Sequence, residues 1–140
     1  MGITITASNS KYSFDMGYGG FFNLRKNIAL AMDKEFGENY SNLNNCHTTE
    51  EFEENDAIAN KIIEKKHLDK DYEDVLDFLY ASDCDGKIGY KTCKKIYDLI
   101  KDVDFGNKCF RYVMLAHNDY EELKEFLKEC YKHRRNMYWY

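Results

Sequence analysis

A few places in this chain carry residues that could do chemistry. Gly17-Tyr18-Gly19-Gly20 stands where an alternating stretch passes into an amphipathic one. The first N–H groups of a helix there could cradle an anion, with Arg25 close by. The segment lacks the Lys-Ser/Thr of a P-loop and does not complete a dinucleotide fingerprint. Glycines at such a junction more often make a tight strand-to-helix turn. Ser82-Asp83-Cys84-Asp85-Gly86 partly fits a calcium loop. With Gly86 at the loop's glycine position, Asp83 and Asp85 fall on ligand positions, but Ala81 and Thr92 occupy the first and last, so two carboxylates are missing. The plainer reading is a turn in which aspartates bond local N–H groups and Gly86 takes a positive φ. In a third reading, Ser82, Asp83 and Asp85 face a cleft and touch a polar ligand.

His117-Asn118-Asp119 reads as a helix junction, with His117 available to a pocket. The basic run 132–135 suits a helix C-terminus. Beside Tyr138, Trp139 and Tyr140 it could also form a basic aromatic patch that stacks on a base or meets a protein. Cys46-His47 and the isolated His67, His117 and His133 give no metal-ligand spacing. No nucleophile–base–orienter set is legible. No metal and no cofactor is therefore expected.

The elements that must position these residues follow from periodicity. Ile3 to Thr6 is a β-branched run, Ser8-Asn9-Ser10 a turn, and 11–16 the return strand of a hairpin. The aromatic stretch 136–140 is expected to pair with that hairpin as a third strand. A first helix is expected over 21–36, stopped by Gly37, with Leu24, Ile28 and Met32 inward and Arg25, Lys26 and Asn27 off that stripe. Residues 38–47 read as a loop. Thr48 or Thr49, with Glu51, caps a second helix whose apolar face is Phe52, Ala59, Ile62 and Ile63. After a break at 67–71, Tyr72, Val75, Leu76, Leu79 and Tyr80 mark a third. Cys93, Ile96, Tyr97 and Ile100 mark a fourth, beginning near Lys91. A turn at 104–107, a helix over 108–116, a break at 117–119 and a last helix with Leu123, Phe126, Leu127, Cys130 and Tyr131 inward complete the chain. The expected fold class is α+β: a small antiparallel sheet, made of the N-terminal hairpin and the C-terminal strand, packed against five to six helices.

The 140 residues suit one domain, 1–140. Aromatics at 16 % mean that rings build much of the core, and the absence of proline leaves helix ends to caps and glycines. A net charge of −5 argues against non-specific nucleic-acid binding, which needs a basic face. The five cysteines are odd in number and show no C-x-x-C, which fits reduced thiols in a cytoplasm better than a disulfide framework. Cys93, Cys109 and Cys130 fall on apolar positions. No apolar run is long enough to cross a membrane and no signal peptide opens the chain.

Two segments carry a resemblance. Asp15-Met16-Gly17-Tyr18-Gly19-Gly20-Phe21-Phe22-Asn23-Leu24-Arg25 resembles the opening of a set of small uncharacterised phage and bacterial proteins. Ser82-Asp83-Cys84-Asp85-Gly86-Lys87-Ile88 resembles their central motif. The resemblance implies a mobile-element setting in a bacterial host cell and a chain that ends on a short aromatic strand. It carries over no reaction. The expectation is a non-enzymatic binding protein that modulates or inhibits a host system, such as a defence system, by binding a host protein or sequestering a small nucleotide. Its contacts would come from Tyr18, Gly19, Gly20, Arg25, Ser82, Asp83, Asp85, His117 and Trp139. The alternatives are a small hydrolase or transferase with an acidic pocket, and a structural or assembly protein, dimeric through its aromatic surface.

Overall fold

A computed structural model describes residues 2–10, 13–103 and 113–140, with the backbone alone at 14 and 113–119. The fold is α+β, and the described residues form six helices and one four-stranded antiparallel sheet. Strands β1 (Gly2–Ala7) and β2 (Ser13–Gly17) make the expected hairpin, with Ile3 opposite Met16 and Ile5 opposite Phe14. Alternation sends Ile3, Ile5, Ala7 and Met16 into the core. On the other face Thr4 Oγ1 donates to Asp15 Oδ1 at 2.7 Å. Asn9 takes the left-handed conformation in the turn, at φ 56°.

The tail pairs as expected. Strand β4 (Met137–Trp139) lies antiparallel to β1 on its free side, Ile5 opposite Trp139 and Ala7 opposite Met137. A fourth strand, β3 (Gly86–Ile88), adds to the outer side of β4, giving the order β2-β1-β4-β3. That strand corrects the reading of 81–86 as a turn alone. Gly86 is needed for space rather than for a positive φ, which no glycine among the described residues adopts. It sits opposite Trp139, and a Cβ there would overlap the indole ring at Cζ2.

Helix α1 (Tyr18–Met32) leaves β2 directly, with Gly17 in extended backbone as N-cap. No glycine bend intervenes. The single helix expected over 21–36 is instead two. Asp33 breaks it and opens α2 (Lys34–Ser41), accepting the Phe36 N–H at 2.9 Å and the Lys66 ammonium at 2.9 Å. Gly37 is no helix stop; it lies buried inside α2, where a Cβ would strike the Leu30 backbone. The loop expected over 38–47 shrinks accordingly, part of it going to α2 and part to a 3₁₀ turn at Asn42–Asn45.

Helix α3 (Thr49–Lys66) starts as read, with Thr48 Oγ1 accepting the Glu51 N–H at 3.1 Å. Phe52, expected inward, is exposed. Asn55 is buried in its stead; its Oδ1 accepts from the Asn39 side-chain amide at 3.1 Å and its Nδ2 donates to the Asn39 backbone carbonyl at 3.2 Å. A left-handed His67 separates α3 from α4 (Leu68–Tyr80), which kinks at Tyr72. Helix α4 buries Val75, Leu76, Phe78 and Leu79, leaving Tyr80 exposed. Helix α5 (Tyr90–Ile100) buries Cys93, Ile96 and Ile100.

Helix α6 (Val113–Lys132) runs unbroken through 117–119, where a junction was expected. Asn118 and Asp119 cost a helix interior only about 0.6 kcal/mol each, which burial of Leu123, Phe126, Leu127 and Cys130 outweighs. The turn expected at 104–107, the first part of the helix over 108–116 and Cys109 lie outside the described residues. No helix among the described residues is long and apolar enough to cross a membrane.

The sheet depends on the indole over Gly86. Trp139→Ala is expected to cost about 3–5 kcal/mol and Gly86→Ala about 1–3 kcal/mol, read from urea unfolding. A Trp139→Ala change below 1 kcal/mol would contradict this account of the sheet.

Candidate functional site: an aromatic cavity over a buried arginine

Residues 21, 24, 25, 28 and 29 share one face of α1, and all five are buried. Arg25 is therefore on the inward stripe, not off it, and is only 5 % exposed. The i, i+3, i+4, i+7, i+8 spacing counted from Phe21 marks that face in the sequence. The guanidinium carbon lies 4.4 Å from the Phe21 ring centroid, 5.0 Å from Phe78 and 5.9 Å from Trp139. These rings also pack on one another, Phe78 edge-on to both Phe21 and Trp139.

Arg25 Nη1 donates to the Ala81 carbonyl at 2.9 Å and Nη2 to the Ser82 carbonyl at 3.2 Å. Ser82 O also accepts the Trp139 indole N–H at 3.0 Å. The 81–82 backbone is thus pinned from below by an arginine and a tryptophan. Burial lowers the Arg25 pKa, while nearby Tyr40 and Asp83 act to raise it. An arginine remains ionised in such a setting. Among the described residues it has no carboxylate in salt-bridge contact, and its buried Nε–H has no acceptor.

Above this floor opens a cavity of about 330 Å³, walled by Tyr18, Phe22, Tyr40, Leu43 and Tyr80, with Ser82 and Asp83 at the rim. Phe22 stacks on Tyr40 at 5.7 Å, and Tyr40 meets Tyr80 edge-on at 5.6 Å. The Tyr40 hydroxyl donates to the Leu79 carbonyl at 2.7 Å. Burial pushes its pKa up to about 12, with Arg25 acting against that shift. Burial likewise raises Tyr80, helped by its neighbour Tyr40. Tyr18 is raised chiefly by Cys84, then by burial and Asp83.

Four residues singled out in the sequence meet in this cavity: Tyr18, Arg25, Ser82 and Asp83. Trp139 stands behind Arg25, 2 % exposed, so it shapes the floor and is no surface stacking group. Gly19 and Gly20 lie in the first turn of α1 outside the lining, and the Gly20 carbonyl accepts the Tyr120 hydroxyl at 2.7 Å. Asp85 is exposed on the loop and does not line the cavity. His117 belongs to α6, and its side chain lies outside the described residues. Phe22, Tyr40, Leu43 and Tyr80 are lining residues that the sequence did not single out. Tyr40 reaches the site only because the helix breaks at Asp33 and α2 folds back on α1.

Among the described residues the lining holds one carboxylate, Asp83, and no imidazole. The Ser82 hydroxyl accepts the Cys84 N–H at 3.1 Å, an ordinary turn bond. Among the described residues no cluster of His, Cys, Asp or Glu could hold a metal ion. The arrangement can stack a ring and offer it a cationic hydrogen-bond donor. The fold and cavity define a small α+β protein with an arginine-floored aromatic pocket. The chain matches no family model, no curated protein and no solved structure.

Arg25→Lys keeps the charge but loses the fork that holds two carbonyls. It is expected to cost about 1.5–3 kcal/mol and to red-shift the emission of the protein's one tryptophan, Trp139. The Tyr40 phenol, raised from its ordinary 10 to about 12, contributes stability that is complete below pH 10 and lost as pH climbs toward 12. Tyr40→Phe is expected to flatten the fall in unfolding free energy across that alkaline range, and an unchanged slope would refute the assignment.

Proposed function

We propose that this is a non-enzymatic binding protein that holds a small, ring-bearing, nucleotide-like ligand in the cavity over Arg25. One observation carries the reading. Among the described residues, a buried guanidinium with no carboxylate in salt-bridge contact is held by rings, two backbone carbonyls and the neighbouring Tyr40 side chain, beneath an open aromatic cavity. A charge taken out of water is costly to keep without a partner, so a ligand that offers an acceptor and a ring face would bind favourably here. The volume, about 330 Å³, is at the small end of ligand pockets and suits one base or nucleoside rather than a long chain. Among the described residues the lining sets no nucleophile beside a base, which favours binding over turnover.

The resemblance of the 15–25 and 82–88 segments to phage and bacterial proteins supports a mobile-element setting. The protein would then act inside a bacterial host by sequestering a nucleotide on which a defence system depends.

Thermal-shift assays against nucleosides and nucleotides test this. A ligand at a hundred times its dissociation constant is expected to stabilise the fold by about 2.7 kcal/mol. Tyr80→Ala, at an exposed wall position, is expected to abolish the shift while leaving the free protein folded. Absence of a shift across the panel would overturn the reading, as would a shift that survives Tyr80→Ala. Chemical turnover of a bound compound would overturn the non-enzymatic part.

A further inference from the structure

We propose that the groove between the hairpin and α6 binds a linear aliphatic polyamine. This groove shares no described lining residue with the aromatic cavity. It encloses about 540 Å³, within the range of small-molecule sites. The floor is apolar: Ala7 comes from the end of β1, Phe126 and Cys130 from α6. The wall carries Glu121, Glu125 and Glu129, all exposed. They stand four residues apart, so they climb one side of the helix at about 6 Å per step. Glu122 adds a fourth carboxylate to the lining.

Local cations offset only part of this charge. Lys124 reaches Glu121 at 3.2 Å but makes its shorter bond, 2.6 Å, to the Val103 carbonyl. His133 Nε2 meets Glu129 Oε2 at 3.0 Å, and Arg135 adds one positive charge to the lining. Glu125, in the middle of the row, has no ion-pair partner among the described residues. Spacing and floor together then choose the ligand. No group of His, Cys, Asp or Glu among the described residues converges on a metal ion, so the cation has to spread its charge along the row. A polyamine does so, because three or four methylenes separate its ammonium groups by about one helical turn. Its methylenes lie on Ala7, Phe126 and Cys130 while each ammonium stays in water at the glutamate rim, as a lysine stem does on an apolar surface. A peptide helix would need an apolar floor several turns long, which two side chains of α6 do not supply.

Calorimetric titration of the intact protein tests this. It sets spermidine against a charge-only probe, magnesium ion, and a chain-only probe, hexylamine, at one ionic strength. Spermidine is expected to bind at least tenfold tighter than either. Glu125→Gln combined with Glu129→Gln is expected to weaken spermidine about tenfold, what two exposed ion pairs together contribute. Glu53→Gln combined with Glu54→Gln, at exposed positions on α3, is expected to leave its affinity unchanged. Magnesium or hexylamine binding as tightly as spermidine overturns the proposal, as does an equal loss from both pairs of substitutions or no binding of spermidine at all. Capture of an amphipathic lysine–leucine peptide in its place would give the groove to a protein segment and overturn the proposal as well.

Discussion

A guanidinium removed from water has to be compensated inside the protein, and here that task falls on three rings and two peptide carbonyls. Phe21 comes from α1, Phe78 from α4, Trp139 from β4, and the carbonyls from the segment that follows α4. The fork geometry of the arginine fixes those pieces relative to one another, since neither carbonyl can move without stranding a charged N–H. The same indole that covers the guanidinium also fills the space over Gly86 and bonds Ser82. Sheet and pocket are therefore built on shared atoms. The cavity's upper wall is more open: Tyr80 reaches solvent and rests edge-on against the buried Tyr40.

Local signals were legible where local physics decides. Alternation fixed the hairpin, Thr48 with Glu51 gave the start of α3, and a β-prone aromatic tail could only be useful as a strand. Signals failed where a contact distant in sequence outweighs them. Gly37 looks like a helix stop, yet it is glycine because Leu30 passes against it. Gly86 looks like a turn residue, yet it is glycine because of a ring 53 residues further along, at Trp139. Asn118 and Asp119 look like caps, yet α6 continues, because the face it buries is long enough to override them.

The site divides in the same way. Tyr18, Arg25, Ser82 and Asp83 stood out by residue type and by neighbouring glycines, and the fold brings them to one cavity. Arg25 reads from the sequence as lying on the outer side of its helix, because a charged residue on an apolar stripe looks like surface until its partners are known. Those partners are backbone carbonyls, which leave no mark in a sequence. Phe22, Tyr40 and Tyr80 were hidden for a different cause. In a chain with 12 tyrosines and 9 phenylalanines, one more ring carries little information about where it points.

The sheet order has a consequence for how the molecule assembles. Strand β4 sits between β1 and β3, so an interior position is filled by the strand that comes latest in sequence among the described residues, joining position 5 to position 139. Closing so wide a loop is entropically slow, and helices with near neighbours can form well ahead of it. A ribosome would release β1 and β2 long before the strand that belongs beside them. Until then β1 shows a bare hydrogen-bonding margin, open to any other extended chain nearby. Synthesis order, more than final stability, would then set the interval in which this protein is most vulnerable to misassembly.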